Sequence, residues 1–169
     1  GEFLKALPEG IKFIHKHGHE YLVVEECYCP EGHSLMVESV QIHGEPTIKI
    51  DVDINHRRGS IYIDSFWGSH DKLYNFIPPI TGDQQTVLAY CPSCGRSLMV
   101  DEECGFEECE SKQHMIFFLP GGRNRIHVCG RLGCPEHRLE VVDLPHQLTE
   151  QISEINFFGE GDNDIFQGI

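Results

Sequence analysis

Eight cysteines in 169 residues, arranged as four close pairs, constrain this chain more than any other feature. The pairs are Cys27–Cys29, Cys91–Cys94, Cys104–Cys109 and Cys129–Cys134. Two thiolates so close in sequence can point at one centre, which is the spacing of metal ligands. An even number of cysteines also allows four disulfides, but the sequence shows no secretory signal segment. We therefore expect metal centres and a reducing compartment, the cytoplasm.

The most specific of these patterns is the turn from Cys91 to Gly95, Cys-Pro-Ser-Cys-Gly. Such a turn directs both sulfurs to one side and offers backbone amides to the thiolates. It resembles the knuckle of zinc-ribbon and rubredoxin-like modules, and the resemblance covers a few residues around each cysteine pair. Those modules complete a tetrahedral site with a second knuckle from a neighbouring hairpin. The resemblance therefore implies Cys129 and Cys134 as partners of Cys91 and Cys94.

Cys104 and Cys109 compete for that role, because a local loop of four cysteines would also close. If they do not take it, histidines near them would complete a centre of two cysteines and two histidines. The candidates are His114, His127 and His137. Sulfur-rich sets favour zinc, with one to three ions in the chain, and iron is the less favoured alternative. Closed sites of this kind are structural and contribute to folding.

One phrase occurs twice in the chain, which indicates an internal repeat. Tyr28-Cys-Pro and Tyr90-Cys-Pro each follow an apolar run and lead into Ser-Leu-Met-Val. Downstream of the first phrase, residues 47–54 alternate apolar and polar side chains as a half-buried strand does, and residues 60–66 return after a turn. Residues 115–119 and 126–130 form the corresponding pair of strands in the second copy. Each copy therefore reads as a β-rich unit of knuckle, hairpin and second knuckle.

We expect a mainly β fold made of duplicated zinc-ribbon-like β units with a C-terminal α-helix. The expected divisions are residues 1–3 (a cloning remnant), 4–80 (the first repeat), 81–143 (the second repeat), 144–158 (the helix) and 159–169 (a flexible acidic tail). An apolar stripe of Leu148, Ile152 and Ile155 supports the helix. A short linking helix is also expected over residues 69–77, because Ser69 can cap it and Pro78 ends it.

The first repeat differs from the second where metal ligands are expected. Gly32 and His33 stand where the second repeat has Cys94, and Asp64 and Ser69 stand where it has Cys129 and Cys134. The ligands available to the first repeat are Cys27, Cys29, His33 and His70, with Asp64 as a further candidate. One alternative is a repeat that has lost its metal and uses its cysteines in the core or at another site. The other is a mixed, open site that would activate a water molecule.

Histidines and arginines outside the cysteine pairs suggest two further sites. His15, His17 and His19 alternate, so on a strand they would share one face and bind a transition metal. An exposed polar edge strand is the simpler interpretation. Two pairs of arginines lie at the expected hairpin tips, where they would receive a carboxylate or phosphate group or simply be solvated: Arg57 and Arg58, and Arg123 and Arg125.

The net charge of −14 disfavours general nucleic-acid binding and binding to anionic membranes, since both rely on Lys and Arg. No apolar run approaches the length of a membrane span. No phosphate loop, nucleophile elbow or zinc-protease helix motif occurs. The sequence therefore favours a zinc-binding, non-catalytic binding or assembly module, or an accessory subunit, with a protein partner that the sequence does not identify. The alternatives are a hydrolase-type metalloenzyme with an open site near His33 and His70, and a metal-handling protein that uses the His15–His19 segment.

Overall fold

The computed structural model describes residues 7–79, 85–105, 107–132, 134 and 137–140. All eleven secondary-structure elements in these residues are β-strands, so the expectation of a mainly β fold is confirmed. The first six are β1 (Ile11–Lys16), β2 (His19–Val24), β3 (Met36–Ile42), β4 (Glu45–Ile54), β5 (Arg57–Ile63) and β6 (Lys72–Tyr74). The remaining five are β7 (Leu88–Tyr90), β8 (Met99–Asp101), β9 (Gln113–Phe118), β10 (Arg125–Cys129) and β11 (His137–Glu140).

The first half of the chain (residues 7–79) forms the β1–β2 hairpin and an antiparallel sheet in the order β3-β4-β5-β6. Burial alternates along β4 as the sequence predicts, because its apolar side chains are buried and the polar side chains between them are not. The buried residues are Ile48, Ile50, Val52 and Ile54. Asn55 and His56 join β4 to β5 with φ values of 50° and 70°. Two positive φ values in a two-residue loop are those of a type I′ hairpin turn, which fixes the register of both strands.

The second half (residues 85–140) forms a sheet with the same connectivity, β8-β9-β10-β11. Equivalent backbone hydrogen bonds recur in the two halves. Lys49 N donates to Leu35 O at 2.8 Å, and Ile116 N donates to Leu98 O at the same distance. The loop that precedes β3 and the one that precedes β8 are therefore fastened to their sheets in the same way.

Each half also pairs with the sheet of the other. Strand β7 of the second half pairs with β4, where Tyr90 lies opposite Asp51. In return, Tyr28 N donates to Phe118 O at 2.7 Å and Phe118 N donates to Tyr28 O at 2.9 Å. These reciprocal pairings place the segment just before Cys29 on the second sheet and the segment just before Cys91 on the first.

One hydrophobic core joins the two sheets. Its most deeply buried members come from both halves and include Leu22, Leu35, Ile50, Leu98 and Phe117. Trp67 also belongs to this core, as the only tryptophan of a small protein usually does. The reciprocal strand pairing and the shared core mean that the two halves fold around each other.

The expected short helix over residues 69–77 is wrong. Residues 72–74 form β6, which pairs with β5 through Ile61–Tyr74, Tyr62–Leu73 and Ile63–Lys72. The open edge of β5 offers this segment a hydrogen-bonded ladder, which outweighs its weak local preference for a helix. The expected C-terminal helix (144–158), the tail (159–169) and residues 1–3 lie outside the described residues. In the part of the chain that the structure describes, no helix is long and apolar enough to cross a membrane.

Gly10 is predicted to tolerate substitution less well than Gly18. Its φ is +94°, and an added Cβ would lie 2.6 Å from Pro120 Cδ and 2.8 Å from Glu26 O. Gly18 has a similar φ of +79° but nothing within 4 Å. We expect Gly18→Ala to lower the free energy of unfolding by about 1–2 kcal/mol through backbone strain alone. Gly10→Ala should cost about 1–3 kcal/mol more through crowding, as measured by urea denaturation, and equal losses would contradict this prediction.

Candidate metal centres

Seven of the eight cysteines gather in two clusters, and all eight are free thiols. The cross-half cluster contains Cys29, His33, Cys91 and Cys94, and the second-half cluster contains Cys104, Cys109, Cys129 and Cys134. Within each cluster the four potential ligand atoms lie within 4.8 Å of one another. A disulfide needs sulfurs about 2.05 Å apart. A tetrahedral zinc site with bonds of about 2.3 Å places its sulfurs about 3.8 Å apart, which is close to the separations seen here.

The cross-half cluster is built by two similar turns, one from each half. Gly32 N donates to Cys29 O at 3.0 Å, and Gly95 N donates to Cys91 O at 2.8 Å. Gly32 and Gly95 have φ values of 88° and 75°, which glycine adopts without strain. The turns differ in their second ligand, because His33 takes in the first turn the role that Cys94 has in the second.

The distances in the cross-half cluster are those of ligands around one ion. Cys29 Sγ lies 3.4 Å from His33 Nδ1 and 3.9 Å from Cys94 Sγ. Cys29 and Cys91 are buried, whereas His33 and Cys94 are exposed. The cluster therefore lies at the protein surface, with its inner pair against the core. Arg96 forms an ion pair with Glu31 and so links the same two turns beside it.

The surroundings of Cys29 favour its thiolate. Burial raises the pKa of this thiol, but hydrogen bonds from the backbone and side chain of His33 and from the Glu31 amide outweigh it and lower the pKa to about 6. The two amides lie 3.3 and 3.4 Å from the sulfur. Burial raises the pKa of Cys91. These hydrogen bonds favour the ionised form of Cys29, which is the form that binds a metal.

The second-half cluster lies wholly within the second half. Cys129 ends β10, and Cys134 follows in a turn in which Cys134 N donates to Arg131 O at 3.2 Å. Cys104 Sγ lies 3.6 Å from Cys134 Sγ, and Cys109 Sγ lies 3.6 Å from Cys129 Sγ. Three of the four cysteines are buried. This burial is what a closed, water-excluding metal site requires.

Burial opposes ionisation of these thiols. It raises the pKa of Cys129 to about 11, despite a hydrogen bond from the Arg131 amide. The pKa of Cys109 is lowered, because the Ser111 amide and the neighbouring thiols outweigh the effect of burial. Four thiolates in so small a volume would repel one another. A bound cation is the simplest way to stabilise them, and metal binding would displace their protons.

The structure groups the predicted ligands differently from the expected pairing. Cys91 and Cys94 lie with Cys29 and His33. The other four cysteines form the second cluster: Cys104, Cys109, Cys129 and Cys134. The cause is the reciprocal pairing of β7 with β4 and of Tyr28 with Phe118, which brings the two first knuckles together. Sequence comparison of the repeats aligned these knuckles but did not show that they meet.

Cys27 lies apart from both clusters, in the hydrophobic core. Its side chain is fully buried, and burial raises its pKa far above the usual range. Its carbonyl accepts from Leu35 N at 2.9 Å, as the carbonyl of Ala89 accepts from Leu98 N at 2.8 Å in the second half. Cys27 therefore occupies the position of an apolar core residue.

Among the side chains that the structure describes, the predicted histidine ligands other than His33 are not gathered in either cluster. His70 lines a mainly apolar cavity with Trp67 and Leu132. His137 lies opposite Val128 in β11, and its side chain is outside the described residues. The expectation that the histidines at 15, 17 and 19 share one strand face is wrong, because the hairpin turn falls at residues 17 and 18. Among the described residues, no potential metal-binding group contains these three histidines.

The arginines at the hairpin tips have contacts within the chain. Arg57 donates to the carbonyl of Ile77 at 3.2 Å, and Arg58 lies 3.5 Å from a carboxylate oxygen of Asp53. Arg125 stacks over Phe118 and lies 3.9 Å from Glu140. Arg123 is exposed. Binding of an anionic group at these tips stays a prediction.

A third group of potential ligands was missed by sequence reasoning. His43 Nδ1 lies 2.8 Å from Asp64 Oδ2, and His43 Nε2 lies 3.4 Å from Asp71 Oδ2. Burial raises the pKa of Asp64, although hydrogen bonds from Ser69 and Phe66 act in the opposite direction. We call these three residues the His43 cluster. The available signal was the alignment of Asp64 with Cys129, but nothing in the sequence pointed to His43.

The fold and the ligand sets together define a mainly β protein with two sulfur-rich candidate metal centres. No protein-family model, curated protein or solved structure matches this chain. The geometry and chemistry of its own residues are therefore the basis for assigning a function.

Proposed function

We propose that this chain is a zinc-stabilised, non-catalytic binding or assembly module with two structural zinc ions, one in each sulfur-rich cluster. The observation that carries the proposal is the pair of complete four-ligand sets, each with its ligand atoms within 4.8 Å of one another. One set has three cysteines and one histidine, and the other has four cysteines. Both sets are those of structural zinc sites in proteins. Iron bound by the four cysteines is the chemical alternative, which direct metal analysis would distinguish.

The two halves are proposed to be copies of one zinc-ribbon-like unit. Their sheets share one connectivity, and the knuckles at Cys29 and Cys91 have matching backbone hydrogen bonds. In this arrangement the cross-half cluster fastens the first knuckles of both units to each other. The second-half cluster closes the second unit alone, which gives the zinc ions two separate structural tasks.

A structural role fits the cross-half cluster better than a catalytic one. A catalytic zinc keeps one position for water or substrate, whereas four protein ligands here fill a tetrahedral shell. His33 belongs to this filled set, and His70 lines a cavity elsewhere without joining it. The metalloenzyme alternative, in which His33 and His70 hold one open metal ion, therefore has no geometric support among the described residues.

The proposed partner is a protein with a basic surface, and the proposed location is the cytoplasm. The chain carries a net charge of −14, and six acids and no base lie in the ten residues 101–110 around Cys104 and Cys109. A zinc ion with four thiolates would add further negative charge to that loop. Electrostatic complementarity of this kind sets partner choice and association rate, so binding should weaken as salt is added.

Direct metal analysis tests the proposal. Tag-free protein purified without added metal is expected to contain two zinc ions per chain. Cys91→Ser and Cys129→Ser should each retain one ion, because the two residues belong to different clusters. Ser93→Ala is a matched control in the same turn as Cys91, and it should retain both ions. Zinc absent from the wild-type protein, or lost completely in each single variant, would contradict two independent structural zinc sites.

A further inference from the structure

The His43 cluster occupies the position in the first half that corresponds to the position of the second-half cluster in the second half. Asp64 directly follows β5, and Cys129 ends the corresponding strand β10. Phe66 N donates to Asp64 Oδ1 at 3.1 Å, just as Arg131 N donates to Cys129 Sγ at 3.5 Å. The next backbone bonds also match, since Ser69 N donates to Phe66 O at 3.1 Å and Cys134 N to Arg131 O at 3.2 Å. The same turn therefore presents side-chain oxygen atoms (Asp64 and Ser69) in one half and sulfur atoms in the other, and the nitrogen of His43 comes from the turn between β3 and β4.

We propose that the His43 cluster is a third metal site, open to solvent, in which His43 Nε2 and Asp71 Oδ2 bind a divalent cation. These two atoms are 3.4 Å apart. Ligands about 2.1 Å from an ion are separated by about 3.4 Å in tetrahedral geometry and about 3.0 Å in octahedral geometry, so both can bind one ion with little rearrangement. His43 and Asp71 are 24% and 30% exposed, which leaves room for water in the remaining positions.

Asp64 is proposed to orient the histidine rather than to bind the metal. Its side chain is 0% exposed, and its Oδ2 accepts from Ser69 Oγ at 2.6 Å and lies 2.8 Å from His43 Nδ1. A buried carboxylate that accepts a hydrogen bond from Nδ1–H leaves the lone pair of the neutral imidazole on Nε2. This is the carboxylate–histidine–metal arrangement of many metal sites.

The charges around Nε2 also favour a cation. With the proton on Nδ1, the Nε2 lone pair of a neutral His43 would face the carboxylate of Asp71 at 3.4 Å. Two electron-rich groups at that distance repel each other unless a positive charge lies between or beside them. A bound divalent cation supplies that charge. The competing explanation is an imidazolium, in which a second proton on the ring supplies it.

The backbone and packing hold His43 in place for this role. Its φ of 55° and the 82° of Gly44 are those of the two-residue hairpin turn that joins β3 to β4, and this turn fixes its backbone. Its ring packs edge-on against Phe66 with centroids 5.7 Å apart. The imidazole is therefore positioned before any ion binds, which lowers the entropic cost of binding.

The ligand chemistry of the His43 cluster admits metals other than the zinc expected in the cysteine clusters. One imidazole, one carboxylate and water suit Mn²⁺, Fe²⁺ or Zn²⁺. Mn²⁺ is the preferred probe, because it is the weakest competitor for thiolates and would leave zinc in the sulfur-rich clusters. The His43 cluster shares no residue with the cysteine clusters, and its test is done on folded protein, so the two proposals can fail separately.

The test is a titration of zinc-replete protein with Mn²⁺, in which electron paramagnetic resonance measures the free ion. We expect one Mn²⁺ per chain at micromolar to millimolar concentration, with selective broadening of the His43 ring signals in the NMR spectrum. His43→Gln and Asp71→Asn should each weaken binding at least tenfold while the zinc content is unchanged. His56→Gln, a histidine with φ 70° in an exposed turn, is the matched control and should bind normally.

Three results would overturn the proposal. The first is no uptake of Mn²⁺ up to millimolar concentration by the wild-type protein. The second is uptake that survives both variants but disappears when His15, His17 and His19 are replaced by alanine. The third is a His43 ring that remains doubly protonated above pH 8 and shows no broadening on addition of Mn²⁺, which would identify the imidazolium as the source of positive charge.

Discussion

Removal of zinc is expected to unfold this protein. Structural zinc sites contribute about 10–16 kcal/mol in small zinc-binding peptides. A whole domain is typically stable by only about 5–15 kcal/mol. Treatment with a strong chelator at neutral pH should therefore abolish the β-sheet signal in far-ultraviolet circular dichroism, and re-addition of zinc under reducing conditions should restore it.

The control for this experiment is the same chelator saturated with zinc beforehand, at equal concentration and ionic strength, which should leave the fold intact. A chelated protein that has lost its zinc but keeps its β-sheet spectrum and its cooperative unfolding transition would show that the core alone suffices. That result would show that the fold does not require zinc.

Cys29→Ser is expected to destabilise the protein much more than Cys27→Ala does. Cys29 belongs to the cross-half cluster and accepts two amide hydrogen bonds at its sulfur, whereas Cys27, two residues earlier, is a core residue outside both clusters. Cys29→Ser should lose one zinc ion and about 4 kcal/mol or more of unfolding free energy, since loss of a metal is among the most damaging changes. Cys27→Ala should keep both ions and lose about 1 kcal/mol, because alanine already occupies the equivalent position at residue 89.

The two variants are compared by zinc content and by denaturation in urea. Equal losses of stability with unchanged zinc content would show that Cys29 matters only through packing. Zinc loss in Cys27→Ala but not in Cys29→Ser would show that the ligand from this segment was assigned to the wrong residue. Because the two cysteines are only two residues apart, a difference between the variants reports which of them binds zinc and not a general disturbance of residues 27–29.

The sequence predicted the elements that depend on local patterns. Alternating apolar residues placed β4, and the corresponding patterns placed β5, β9 and β10, because period-two burial is set by residues next to one another. Metal-ligand spacing likewise singled out the cysteine pairs, since two ligands on one turn need only a few residues. These signals are local, so a single sequence carries them.

The sequence could not predict how the knuckles are combined. The cross-half cluster depends on the pairing of β7 with β4 and of Tyr28 with Phe118, which joins residues far apart in the chain. No local pattern specifies such a partner. The same reason explains the wrong helix at residues 69–77, where the decisive factor was the unpaired edge of β5 and not the propensity of the segment itself.

His43 shows a different limit of prediction from the sequence. It lies in the turn between β3 and β4, and it reaches Asp64 only because the strands bring together residues 21 positions apart. The repeat alignment had placed Asp64 opposite Cys129 and so marked the right turn. A substitution of oxygen for sulfur at an aligned ligand position is therefore a useful sign that the site has changed its chemistry rather than simply vanished.

The central claim is that two zinc ions are each bound by one sulfur-rich cluster, and X-ray absorption at the zinc edge tests it most directly. The wild-type protein should show two zinc ions that share seven sulfur ligands and one imidazole nitrogen, which is the sum of the cross-half and second-half clusters. Zinc–sulfur distances should be about 2.3 Å and the zinc–nitrogen distance about 2.0 Å. His33→Cys should convert the spectrum to sulfur ligands only. A nitrogen- or oxygen-rich first shell in the wild-type protein, or a spectrum that His33→Cys leaves unchanged, would contradict the account.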